Sequence, residues 1–183
     1  MWWAQLLNSI IGFLGSGAGG GGGSYESIAT ATPSGTTTVT FSSIPSTYAS
    51  LQARFYVAAG STGLLMNMTI NGDTGSNYAY HQLYGTGSAA SAYAGSSATK
   101  MWLSPNTNAT YGWTGIVDLH DYASTSKNKT VRSYSGFDAN GSGIVGLDSG
   151  LWMSTSAMTS LTFTLQGNFA SGSQIALYGI KGA

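Results

Sequence analysis

From residue 25 to the C-terminus the chain is written in period two. TTTVTFS alternates, with Val39 and Phe41 on one face, and LQARFYVAA places Leu51, Ala53, Phe55, Val57 and Ala59 on one face and Arg54 and Tyr56 on the other. LLMNMTI directs Leu64, Met66, Met68 and Ile70 one way, LTFTLQG does the same with Leu161, Phe163 and Leu165, and QIALYGI with Ile175 and Leu177. Successive strand residues point to opposite sides, so each run has one apolar face that must be covered by another sheet. Gly-, Ser- and Asn-rich turns recur about every ten residues between the runs. This predicts an all-β chain, an antiparallel β-sandwich of jelly-roll-like type with about eight to ten strands. SIPSTYASL reads as a short turn or a single helical turn between two strands, and NGD (71–73) as a hairpin turn.

The first 24 residues have a different grain. MWWAQLLNSIIGFL carries no charged side chain. Trp3, Leu7, Ile10 and Leu14 recur at helical spacing, with Gln5, Asn8, Ser9 and Gly12 on the opposite stripe. The pattern predicts a short amphipathic helix over 1–14, about 21 Å long and so shorter than a ~30 Å hydrocarbon core. A signal peptide or a membrane-surface helix ordinarily carries Lys or Arg, which this segment lacks. The preferred reading is a docking peptide whose face of Trp2, Trp3, Leu6, Leu7, Ile10 and Leu14 packs into another protein, with packing against the chain's own domain and contact with a membrane as the alternatives. A glycine-rich run over 15–24 then acts as a flexible linker to a sandwich domain over 25–183.

Charge narrows the function classes. Six Lys and Arg face six Asp and Glu, for a net charge of zero, and charged residues make up 7% of the chain. Ordinary soluble domains carry about 25%. No basic patch for nucleic acid or for an anionic membrane can be assembled from this set. A neutral, hydroxyl-rich surface suits a subunit packed among its own copies. Cysteine is absent, which removes disulfides and thiolate metal sites.

Catalytic chemistry is equally short of parts. Only His81 and His120 are available, and no serine sits in a nucleophile elbow. Asp118 and His120 would share a strand face beside Asp121, but strand capping is the plainer role for all three. Asn71, Asp73, Ser76 and Asn77 offer oxygens around one carboxylate, where calcium sites use several. Glu26 lies beside the linker, and Asp138 and Asp148 fall in glycine-rich segments that read as loops, which leaves no obvious carboxylate pair. We therefore expect a non-enzymatic chain with no catalytic residues, no metal and no cofactor. The aromatic residues of the middle third are the remaining candidates: Tyr78, Tyr80, Tyr84, Tyr93, Tyr111 and Trp113, together with Trp102 and Tyr122. Some belong to the core, and those left exposed would stack on sugar rings.

Four phrases stand in a telling order: TVTFSSIPSTYASLQARF, INGDTGSNYAYHQLYG, IVDLHDYASTSKNKTVRSYSG and TSLTFTLQGNFASGSQIALYGIKGA. Together they resemble the β-sandwich domains of tailed-bacteriophage virion proteins of the tail-fibre and capsid-associated kind. The matching positions are Phe41, Ile44, Pro45, Tyr48 and Leu51, then Asn71, Gly72, Asp73, Gly75, Asn77 and Tyr78. They continue through Tyr122, Asn128, Lys129 and Thr130 to Gly172, Ser173, Leu177, Tyr178, Gly179 and Ile180. The resemblance covers roughly residues 25–183. It implies a virion location on the tail or capsid surface and other virion proteins as partners. A fibre or spike subunit, homotrimeric, would be anchored by its N-terminus and would display the sandwich to a host-surface glycan. A capsid decoration or cement protein is the second expectation, and a carbohydrate-active enzyme a distant third.

Overall fold

The computed structural model describes residues 23–103 and 106–182. The expected helix over 1–14, its six anchor residues and residues 15–22 of the linker lie outside them. The described chain is all-β, with twelve strands and no helix. In order they are β1 (Tyr25–Ala31), β2 (Thr38–Phe41), β3 (Ser50–Val57), β4 (Met66–Ile70), β5 (Tyr78–Gly85) and β6 (Ala90–Ala98), followed by β7 (Met101–Leu103), β8 (Trp113–His120), β9 (Lys129–Asp138), β10 (Gly143–Trp152), β11 (Leu161–Leu165) and β12 (Gln174–Ile180).

They form two antiparallel sheets, one of eight strands in the order β1-β12-β3-β8-β9-β10-β5-β6 and one of four in the order β2-β11-β4-β7. The first five strands alternate between the sheets, whereas β8, β9 and β10 follow one another within the large sheet. Every inward residue of the five runs read from the sequence lies in the interior except Leu64, which is half-buried and packs against the core from outside β4. Leu51, Ala53 and Val57 meet Met66, Met68, Ile70, Leu161 and Phe163 in one core with Ile175 and Leu177. The edge-to-face pairs Phe55–Trp113 (centroids 4.8 Å apart) and Phe41–Phe163 (6.3 Å) sit within it.

Three expectations are corrected. Twelve strands replace eight to ten, because glycine and serine hide strands from a hydrophobic reading. ASAYAGSSA (β6) and GIVGLDSGLW (β10) carry too few apolar side chains to show period two. Asp148 accordingly lies inside β10 and Asp138 is the last residue of β9, rather than both lying in loops. The glycines serve close approach here: Gly150 makes room for Met101 of the facing sheet, whose sulfur a Cβ at that position would overlap. The segment before β3 contains no helical turn. Its backbone is instead held from outside, with Ile44 N–H donating to Thr159 O, Tyr48 N–H to Tyr122 Oη and Ala49 N–H to Ile180 O.

The third correction concerns Asn71–Gly72. Both have positive φ (53° and 67°) and Asp73 N–H donates to Ile70 O at 2.9 Å, the backbone of a type I′ turn. It does not close a hairpin, because β4 and β5 belong to different sheets. Side chains carry the chain across instead. Asp73 accepts from Gly75 N–H, Asn77 Nδ2 and Trp152 Nε1, while Tyr78 Oη accepts from Ile70 N–H and donates to Asp73 O. Asn71 Oδ1 accepts from the backbone N–H groups of Thr159 and Ser160, and its Nδ2 donates to Ala157 O.

Candidate ligand-binding cleft

The cleft forms where two sheet edges meet. β6 is one edge of the large sheet and β7 one edge of the small sheet. Residues 80, 82 and 84 of β5 alternate onto the inner face, and the register sets Tyr80 opposite Gly95 and Gln82 opposite Tyr93. The space between this face and Trp102 of β7 is a cleft of 640 Å³. That lies within the ~300–1,000 Å³ range of small-molecule sites.

Its walls are aromatic. Tyr84 and Tyr93 are stacked with centroids 5.8 Å apart and planes 8° from parallel, and Tyr93 keeps 58% of its surface exposed. Tyr80 lies flat across the sheet because its strand partner is glycine; a Cβ at Gly95 would come within 2.5 Å of the tyrosine ring. Trp102 closes the opposite side, with Lys100 Nζ 4.5 Å from its ring centroid. The polar groups are Gln82, Thr86 and Asn106, and among the described residues no charged side chain lines the cleft. Behind Gln82, buried Asp148 accepts from Gln82 Nε2 (2.9 Å) and from Ser133 Oγ, which fixes the glutamine in place.

The structure thus brings together Tyr80, Tyr84, Tyr93 and Trp102 of the aromatic set. It removes others: Tyr78 and Trp113 are fully buried and cannot meet a sugar, and Tyr122 is a core residue as well. Trp113 lies in the interior packed on Phe55, and Tyr78 spends its hydroxyl on the crossover below Ile70. Tyr111 is exposed on the turn before β8 and lies outside the cleft lining. Sequence reasoning missed Gln82 and Asp148. Period-two alternation from Tyr80 and Tyr84 would have placed Gln82 on the same face, but Asp148 has no local signal. Asp118 and His120 do share a face of β8, where Asp118 accepts from Gln52 Nε2 at 2.7 Å. Asp121, with φ of 52°, turns away to pair with Lys127 at 3.0 Å. Among the described residues no three His, Asp or Glu side chains gather as a metal set.

No protein-family model, no curated protein and no solved structure matches this chain. The site is therefore argued from its own geometry.

A second surface lies on the opposite face of the large sheet. The register aligns Ile116 with Tyr134, Tyr134 with Leu147, Leu147 with Leu83 and Leu83 with Ala92, an unbroken apolar row across five strands. Tyr134 is 57% exposed, and Leu147 and Leu83 are 52% exposed each. The neighbouring row is polar, running Gln52, Asp118, Arg132, Ser149 and His81.

Asp73 gives the β4–β5 crossover a pH dependence. Hydrogen bonds from the Trp152 indole first, then from Asn77 and Gly75, hold its carboxyl below the ordinary aspartate value of 3.8. A depressed native pKa means stability present above the unfolded value and lost as pH falls through the native one. Asp73→Asn should cost about 1–2 kcal/mol at neutral pH and flatten the loss of stability below pH ~4. Urea unfolding followed by tryptophan fluorescence at several pH values measures both effects; an unchanged acid limb would show that Asp73 is not the group responsible.

Proposed function

We propose that the chain is a non-catalytic structural subunit of a tailed-phage particle, an appendage of fibre or spike type. Its N-terminal peptide holds it to the particle, and the outer face of its large sheet packs against copies of itself. The observation that carries this reading is the apolar row from Ile116 to Ala92. Single exposed apolar residues are ordinary on a protein surface, whereas a contiguous row is a mark of association. Five strands at about 4.8 Å spacing, with strands up to about 33 Å long, make a face on the order of 600 Å². Each partner in a standard interface buries roughly 800 Å², so a second copy of the chain is an occupant of the right size. A net charge of zero lets like copies approach without repulsion. The trimer implied by the sequence resemblance would gather three such faces around one axis.

Leu147→Asp puts a carboxylate in the middle of the row without touching the core. It should convert the purified oligomer to monomer in light scattering, at an unchanged melting temperature. If the mass stays that of the wild type, the face is not the interface. Removing residues 1–14 should leave a folded protein that no longer joins particles, and incorporation of the truncated chain would dismiss the anchor. Copy number separates the appendage from the decoration protein: a shell-wide count belongs to the latter.

A further inference from the structure

We propose that the cleft between β5–β6 and β7 binds a neutral saccharide, with Tyr93 and Trp102 as stacking platforms and Gln82 and Asn106 as its polar contacts. This inference is independent of the assembly face, which lies on the other side of the large sheet, so either can fail alone.

A pyranose has an apolar face of C–H groups and a rim of hydroxyls. The site it asks for is an aromatic plane beside a few fixed donors and acceptors. The cleft supplies that combination. Tyr93 is backed by the parallel ring of Tyr84, so one face is held and the other is open. Two rigid aromatic side chains lose little conformational freedom on binding, which favours them over flexible residues as platforms. Gln82 has its amide nitrogen turned to Asp148 at 2.9 Å and to Trp102 O at 3.5 Å. Its carbonyl oxygen is thereby set as an acceptor for a hydroxyl at a defined position. Exposed Asn106 adds a polar group on the rim, beside half-buried Thr86.

The absence of a charged lining residue decides the ligand class. A phosphate, a sialic acid or a uronic acid would leave water without a cation among the lining residues to receive it. Lys100 is committed to the face of Trp102 and stands outside the lining. A peptide strand would find an edge in β6, but the tyrosine pair and the glutamine do not offer the repeating pockets that strand addition uses. A neutral hexose oligomer fits both the aromatic walls and the lack of charge.

The test uses the full-length chain, a printed array of neutral bacterial polysaccharides and oligosaccharides, and sialylated and uronic-acid-bearing glycans beside them. The neutral glycan that gives the strongest signal is then titrated while Trp fluorescence is followed. Tyr93→Ala should weaken binding about tenfold or more, and Tyr93→Phe should hold it within about twofold, because the ring face and not the hydroxyl makes the contact. Tyr93 is mostly exposed, so both variants should melt with the wild type, and the melting curve is recorded for each. The proposal is overturned by an array with no neutral binder, by binding confined to acidic glycans, or by a Tyr93→Ala protein that binds as tightly as the parent. A Tyr93→Phe protein that loses binding along with Tyr93→Ala would equally refute the stacking role.

Discussion

Replacing Gly115 by valine is expected to lower the melting temperature by about 6–12 °C, for a loss of roughly 3 kcal/mol. Gly115 lies on the inner face of β8, paired with Phe55 on one neighbouring strand and Ser135 on the other. A Cβ there would overlap the end of the Phe55 ring and come within 2.5 Å of Ser135 Cβ. The phenylalanine cannot give way cheaply, because its ring packs edge-on against buried Trp113. Ser135 cannot give way either without moving the β9 backbone. Glycine in a strand ordinarily costs about 0.5–1 kcal/mol of backbone entropy, and this gain on substitution is smaller than the strain. A Gly115→Val protein with wild-type stability in thermal unfolding would mean that the two strands separate more easily than their packing indicates.

The second large effect is expected at Lys129, which has no exposed surface. Its ammonium donates to three backbone carbonyls: Lys127 O at 2.6 Å, Thr155 O at 3.2 Å and Ser154 O at 3.4 Å. Burial pushes its pKa below the ordinary lysine value, and the Asp121 carboxylate pulls the other way. The side chain therefore ties the loop after β10 to the loop before β9, at the end where Trp152 pairs with Lys129. Lys129→Met keeps the volume and removes every donor. Each buried carbonyl left without a partner costs about 1–3 kcal/mol, so about 3 kcal/mol is expected after local relaxation admits some water. Chemical denaturation at neutral pH checks it, and a loss under 1 kcal/mol would show the three carbonyls to be satisfied by solvent. An increase in hydrogen exchange confined to residues 153–158 would report that loop directly.

These two residues show where sequence reading stops. Apolar alternation was enough to place β2, β3, β4, β11 and β12 with their inward faces, because one-sided burial writes itself at every second residue. Gly115 carries no side chain, so its role as the space that Phe55 occupies depends on register, which no local pattern states. Lys129 looks like a surface residue by type, and only its three carbonyl partners, up to 26 residues away in sequence, explain its burial. The same limit applied to the cleft. The tyrosines were visible as candidates, but Tyr78 and Trp113 could not be told from Tyr84 and Tyr93 until the two sheets were assembled. Asp148 was hidden among glycines that serve sheet packing rather than turns.

The two outermost strands of the large sheet give the molecule a direction. β1, entered directly from the glycine linker, is one border of that sheet and β6 is the other. β1 is secured to the C-terminal strand by pairing from Tyr25–Ile180 to Ala31–Ile175 and by the Lys181–Glu26 ion pair at 2.8 Å. Seven strand spacings separate the borders, roughly 34 Å. Anything that pulls on the N-terminal segment therefore acts on one flank of the sandwich while Tyr84 and Tyr93 stand on the far flank. On the proposed reading, a subunit tethered at the first border would point the second outward, dividing mooring from presentation between the two ends of a single sheet.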